Sequence, residues 1–237
     1  MCGADFDQVE LRVMADLGRD AGMIKAFLEG RDIHAETASL IFGVKIADVD
    51  SLLHRYPAKR VGFGIATGIT ELGLYDQMRL AGITKYSVAD CAEIISTYFK
   101  VRPGIKRLID ESRAMAARDG YVRDKGGRIR LLPSIYSTNP AVKAEAERQS
   151  HSHRVSGTAQ FIKKRALARI WKEIRDLPRW EVEPLLEIHD EVVFEIKSSL
   201  KEWVKSMLIR TMSADSDLFA VPITVKVNFG TTWGDLK

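Results

Sequence analysis

The chain has 237 residues, 46% hydrophobic and 29% charged, with a formal net charge of +4 and only two cysteines. This is the composition of a globular protein with a proper core, and it excludes low-complexity and disulfide-stapled chains; Cys2 and Cys91, far apart and without a histidine cluster, also exclude a cysteine-rich zinc module. No apolar run approaches a membrane span, "MCGADFDQVE" does not read as a signal peptide, and the expected setting is a reducing one, the cytoplasm, with the modest positive charge weakly favouring a polyanionic partner.

In chain order, a short strand-like start leads into a helix over about Val9 to Leu17, with Leu11, Met14 and Leu17 at helical spacing. A second helix is expected over "DIHAETASLIFG", with Asp32 as N-cap and Gly43 as stop. "VADCAEIISTYFKVRPG" reads as a helix ended by Pro103, and another follows from Pro103 to Asp119. "GYVRDKGGRIRLLPS" is a hairpin signal, two β-prone runs about a Lys-Gly-Gly turn. A long helix is expected from about Pro140 to Ile174. The tail returns to strands, "LEIHDEVVFEI" and "VPITVKVNFG", with a helix of about Ser199 to Met212 between them. The layout predicts an α+β fold, a helical subdomain inserted into a small antiparallel sheet with helices on one face.

Three segments bear on chemistry. "EIHDEVVFEI" places Asp190 and Glu191 in an apolar, β-branched stretch, where unpaired buried charges are costly. A divalent cation would neutralise such a pair at a hairpin tip, and Asp5 of "GADFDQVELR" could join it from a strand edge. The alternative is a solvated turn, with Asp5 capping the helix that follows. "HRYPAKRVGFGIATG" sets Arg55, Lys59 and Phe63 at intervals of four along one helix face, which suits a triphosphate with its sugar or base. A helix beginning at about Arg55 to Pro57 would also aim its N-terminus at the phosphates. The same stripe can instead be a solvated face with one core anchor.

Together these segments resemble motifs A, B and C of the family A DNA polymerases, the bacterial DNA polymerase I group. Motif A is similar to "DFDQVELR" (Asp5 to Arg12), motif B to Arg55-x₃-Lys59-x₃-Phe63-Gly64, and motif C to "HDE" (His189 to Glu191). The resemblance continues through "DIHAETASLIFG", "GYV…GR…LP" and "AER…GTA…IKKRA" to the final "WGDLK", in order and without large gaps.

The resemblance implies a palm sheet with an inserted fingers subdomain: palm over 1–30 and 120–237, fingers over 31–119. It implies template-directed DNA synthesis, with Asp5, Asp190 and the Phe6 carbonyl holding two Mg²⁺ ions and Glu191 in support. Arg55, Lys59 and His34 would bind the incoming triphosphate with Gln8 nearby, Phe63 would pack on its sugar and base, and Glu10 would occupy the space of a ribose 2′-hydroxyl. Arg148 and His189 would contact the primer–template duplex.

Some positions depart from the pattern. Thr67 stands where the family usually has Tyr, Ser152 where it has Asn and Ser156 where it has Gln, which shortens side chains expected at the template and duplex. His153 and Arg154 are expected to compensate with phosphate contacts. The family's thumb and first palm strands precede motif A, so the expectation is a right-hand polymerase without a thumb. Its first strand, Met1 to Asp5, would be too short to complete the sheet, leaving an open edge for a separately encoded partner chain. Two other readings are a single-subunit RNA polymerase, which Glu10 argues against, and a non-catalytic DNA-binding remnant, which has no need of clustered acids.

Overall fold

The computed structural model describes residues 1–236; Lys237, the last residue of the "WGDLK" motif, lies outside them. The chain forms two compact units, one of Met1–Val9 with Ala159–Lys237 and one of Glu10–Thr158. These boundaries differ from the palm and fingers divisions expected from the sequence, because the second unit takes in residues on both sides of the 31–119 segment.

The first unit is built on a four-stranded antiparallel sheet of β1 (Cys2–Phe6), β4 (Val182–Ile188), β5 (Glu191–Ile196) and β6 (Val225–Phe229), in the order β4-β5-β1-β6. The opening strand is therefore central, paired with β5 on one side and β6 on the other. This corrects the expectation that it is too short to complete the sheet: five residues suffice when both neighbours are supplied by the C-terminal part of the chain. The edge strands are β4 and β6, and β4 carries Pro184 at a register shift, a position where a missing N–H costs no ladder bond. Alternation puts Cys2, Ala4, Phe6, Val192 and Phe194 on one, buried face. The C-terminal part of the long helix α8 (Pro140–Ile174) buries Ala159, Ile162, Ala166, Ile170 and Ile174, a stripe at helical spacing. Helix α9 (Lys201–Met212) runs against β6 with Val204, Met207, Leu208 and Met212 buried. Asp215 bridges Arg165 and Arg169 of α8, accepting from the Nε of the first at 3.1 Å.

The second unit is helical: α1 (Val9–Gly18, in it from Glu10), α2 (Ala21–Leu28), α3 (Ile33–Phe42), α4 (Tyr56–Thr67), α5 (Glu71–Leu80), α6 (Val88–Val101), α7 (Pro103–Asp119) and the first half of α8. Helix α3 has the predicted ends. Asp32 accepts from the N–H groups of His34 and Ala35, and Gly43 adopts φ +65°, open to glycine without strain. The α6–α7 junction buries Arg102, whose guanidinium meets Thr37 Oγ1 at 3.0 Å, Glu36 at 3.5 Å and Asp20 at 3.9 Å. The hairpin of β2 (Tyr121–Arg123) and β3 (Ile129–Leu131) packs Val122 with Leu132, Ile135, Ala116 and Ala146 in a small core of its own. Helices α2 and α5 were not anticipated from the sequence.

Candidate active site

In the first unit, register decides which side chains share a face. Asp5 lies opposite Glu191 on one side and Lys226 on the other, while Gly3 lies opposite Asn228. These residues occupy the face of the sheet opposite Ala4 and Phe6. They line an open cleft of about 370 Å³, to which Ile188, His189 and Asp190 contribute from the β4–β5 turn. Gly3 leaves room for Glu191: a Cβ at that position would stand 2.9 Å from Glu191 Oε1, so the carboxylate would have to shift.

The electrostatics of the cleft are unfavourable for the bare protein. Asp5 is pushed up to about 6, first by burial, then by the charge of Asp190, a hydrogen bond to Asp190 and the charge of Glu191, with Lys226 opposing. Asp5 Oδ1 is buried without a hydrogen-bond partner, and so is Gln8 Oε1. An acceptor-only group left without a donor, in a field of like charge, is what a bound cation would relieve. Among the described residues no group of three or more His, Cys, Asp or Glu side chains is placed so that it could hold a metal ion by itself. Two carboxylates with a backbone carbonyl fit a hard divalent cation that takes its other ligands from phosphates and water.

Among the described residues, two of the three non-glycine residues with left-handed backbone flank these acids, Gln8 at φ 55° and His189 at φ 50°. The His189 turn is held from below by Lys163 of α8, a nearly fully buried cation that donates to the His189 carbonyl and pairs with Glu187 Oε1 at 2.6 Å. Neither Lys163 nor Lys226 was singled out from the sequence. The signal for Lys226 was present, since "VKVNF" alternates and places it on the face of Asp5. Lys163 is visible as a lysine directly after the buried Ile162 in α8.

In the second unit, Arg55, Lys59 and Phe63 follow one helical face, and His34 of α3 packs on Phe63 with ring centroids 5.4 Å apart. Lys59 Nζ lies 6.0 Å from the Phe63 ring centre. Burial, then Arg55 and Lys59, hold His34 down to about 4 against the pull of Asp32, so its ring is neutral at pH 7. Arg55 is engaged by Asp32 Oδ2, with both its Nε and an Nη at 2.9 Å. Helix α4 begins at Tyr56, within the expected Arg55 to Pro57, with Pro57 in its first turn. A π turn over Ser51–Arg55 precedes α4, and Asp50 takes the N–H groups of Leu52 and Leu53, so the free helix N-terminus is absent from Arg55. The π turn answers Pro57: the Leu53 carbonyl, to which Pro57 has no N–H to donate, accepts the Tyr86 hydroxyl.

The expected duplex contacts are dispersed within this unit. Thr67 is exposed and returns its hydroxyl to the Gly64 carbonyl at 3.0 Å. Arg148 pairs with Glu145, and Ser152 is half-buried on α8. Arg154 gives one guanidinium nitrogen to the buried Ser112 at 3.0 Å, and His153 Nε2 faces the Arg128 carbonyl at 3.4 Å. Both point into the protein, which reduces the phosphate contact expected of them. Ser156 bonds Glu10 at 2.7 Å.

The protein is thus of the α+β class, with an acid cluster on a small antiparallel sheet in one unit and an Arg–Lys–Phe row on a helix in the other. The sequence matches the model of DNA polymerase family A over residues 1–235. DNA polymerase I of Streptococcus pneumoniae is 35% identical over all of this chain and 26% of its own length, and that of Geobacillus stearothermophilus is 36% identical over 99% of this chain. The fold superposes with TM-score 0.88 and 31% identity on the POL domain of Pol1 from M. smegmatis, solved in complex with DNA primer-template and dNTP, over 99% of this chain and 40% of that one. The chain belongs to DNA polymerase family A. It spans about a quarter of the length of the curated relatives it matches.

Proposed function

We propose that the chain carries out template-directed DNA synthesis, transferring a nucleotidyl group from a deoxynucleoside triphosphate to a primer 3′-hydroxyl. The observation that carries this reading is the unpartnered Asp5 carboxylate oxygen within the acid cluster of Asp5, Asp190 and Glu191, on a chain that also carries the Arg55–Lys59–Phe63 row. Asp5, Asp190 and the Phe6 carbonyl would hold Mg²⁺, two ions in the family's scheme, with Glu191 in support. Held there, such ions would supply activation of the attacking hydroxyl and stabilisation of the leaving pyrophosphate.

The chain's own groups do the rest. Arg55 and Lys59 bind the triphosphate, Arg55 by exchanging Asp32 for phosphate oxygens. Phe63, backed by the neutral His34, packs on sugar and base, and Gln8 lies at the nucleotide side of motif A. Glu10 excludes a 2′-hydroxyl, which favours DNA over RNA synthesis. Thr67, Arg148, Ser152 and His189 contact the primer–template, and Arg154 reaches it only by leaving Ser112. In this scheme residues 31–119 act as fingers and the rest as palm, and the protein works in the cytoplasm. A further segment supplying a thumb and palm strands would cover the edge strands β4 and β6 and the exposed Trp171, Trp180 and Trp203.

Single-nucleotide incorporation on a primer–template with Mg²⁺, by the chain alone and with cell extract, tests the reading. Incorporation lost on Asp190→Ala supports it. DNA binding without incorporation under either condition would assign the chain to non-catalytic binding, and processive extension by a monodisperse monomer at physiological salt would remove the need for a partner.

A further inference from the structure

Helix α8 carries several hydroxyl side chains in its first half, and they do not behave alike. Ser150 donates to the Glu147 carbonyl and Thr158 to the Arg154 carbonyl, each returning its proton to its own helix. Ser156 instead donates across to Glu10 Oε1, at 2.7 Å and a sequence separation of 146. A hydroxyl in a helix interior satisfies itself locally by default, so this outward bond reflects a partner brought to it.

The surroundings fix both ends of that bond. On the α8 side, Thr158 Oγ1 accepts from the Lys125 N–H at 3.0 Å, and the Gly157 carbonyl accepts from Arg128. Gly157 is packed tightly, since a Cβ there would stand 3.1 Å from Asp124. On the α1 side, Lys125 reaches over to Asp16 Oδ2 with its Nζ at 2.6 Å. The hairpin turn thus ties α1, at Asp16, to α8, at Gly157 and Thr158 beside Ser156, all within the one compact unit. Glu10 itself stands in the first turn of α1 and is half-buried. A glutamate has three rotatable bonds, and a steric function requires that it keep one rotamer.

We infer that Ser156 is a positioning residue for sugar selection: its hydroxyl holds the Glu10 carboxylate in the orientation that fills the space of a ribose 2′-hydroxyl. Its role is therefore exerted on Glu10 and not on the DNA duplex. This rests on the reading of Glu10 as the group that excludes that hydroxyl. A shorter residue at position 156 costs no selectivity as long as it carries a hydroxyl that reaches Glu10.

The test compares kcat/KM for a deoxynucleotide and its matched ribonucleotide in Ser156→Ala, Ser156→Thr, Glu10→Ala and the Ser156→Ala/Glu10→Ala double variant. Ser156→Ala should lower the deoxy-to-ribo ratio about tenfold, the typical worth of one hydrogen bond to a charged group. The loss should show as a lower KM for the ribonucleotide, Ser156→Thr should restore the ratio, and Ser156→Ala should add nothing in the Glu10→Ala background. If Glu10→Ala lowers the ratio and Ser156→Ala does not, the selection reading stands and this inference falls. If Glu10→Ala leaves the ratio unchanged, the reading beneath it falls as well. A Ser156 effect that persists in full without Glu10 would also overturn it. Crystal structures provide a readout free of turnover: the Glu10 carboxylate should leave its position in Ser156→Ala and keep it in Ser156→Thr, and an unmoved carboxylate in Ser156→Ala refutes the inference.

Discussion

Lys163→Met separates what holds the protein together from what holds its acid cluster in place. The lysine side chain is only 6% exposed, whereas its partner Glu187 is 48% exposed and returns to water when the lysine is removed. The ion pair is then worth under about 1 kcal/mol, as half-exposed pairs are. The charged hydrogen bond to the His189 carbonyl contributes about 2 kcal/mol, and the desolvation of a buried ammonium opposes both by several kcal/mol. Methionine matches the stem and carries no desolvation cost, so global stability should change by less than about 1 kcal/mol. The turn fares differently. His189 sits at φ 50°, a conformation costing about 1–3 kcal/mol that its surroundings must impose. Without the lysine the β4–β5 turn opens more easily by about 2 kcal/mol, which is roughly 30-fold in local opening. Hydrogen exchange of a peptide spanning 187–192 should accelerate by that order while the denaturation midpoint holds, and nucleotide incorporation should fall at least about tenfold. Unchanged exchange with a lowered midpoint would refute the reasoning and make Lys163 a fold residue alone.

Asp5→Ala or Asp190→Ala should abolish incorporation with little loss of melting temperature, because relief of repulsion within the cluster offsets lost contacts; retained incorporation would remove either acid from the site. Asp32→Asn keeps the cap on α3 but releases the Arg55 guanidinium, so the KM for deoxynucleotide should fall severalfold, which steady-state kinetics will show or deny. His34 and His151, both buried, have pKa values held down to about 4 from 6.5, in each case by burial first and then by neighbouring arginines. Their unfolded forms bind protons first as pH falls, so the stability they contribute is full above pH 6.5 and is lost between 6.5 and 4, about 3 kcal/mol for each. Asp5, raised to about 6, acts in the opposite direction between pH 6 and 3.8 and offsets a part that solvent screening keeps small. Urea denaturation at pH 7 and pH 5 checks the sign, and greater stability at pH 5 would contradict it.

What the sequence shows clearly is what one element decides by itself. Asp32 and Gly43 delimit α3 because a cap needs only its own neighbours. The Arg55, Lys59 and Phe63 row follows from helical spacing, and the hairpin from its turn residues. Helix α2 escaped because eight mostly apolar residues show no clear period, and α5 because Gly73 interrupts its first turn. The start of α4 at Tyr56 was legible from Pro57, but the π turn that leads into it, capped by Asp50, is announced by no residue pattern. The central position of β1 was hidden for another reason: its neighbours β5 and β6 lie at the far end of the chain, and strand order is a property of the assembled sheet.

The partnerships that govern the acids were the least legible, and physics explains why. Lys163 meets the His189 carbonyl across 26 residues and Ser156 meets Glu10 across 146, and neither contact leaves a local pattern. Both tie a functional residue to α8, one in each compact unit. A cluster of like charges works only if it cannot relax, since carboxylates free to turn apart lower their repulsion and lose any shared hold on a cation. The Lys163 clamp and the strained His189 turn oppose that relaxation at Asp190, and pairing on both sides of β1 opposes it at Asp5. The repulsion that, after burial, raises the Asp5 pKa is thus maintained by the rest of the fold, and either a proton or a bound cation would lower it.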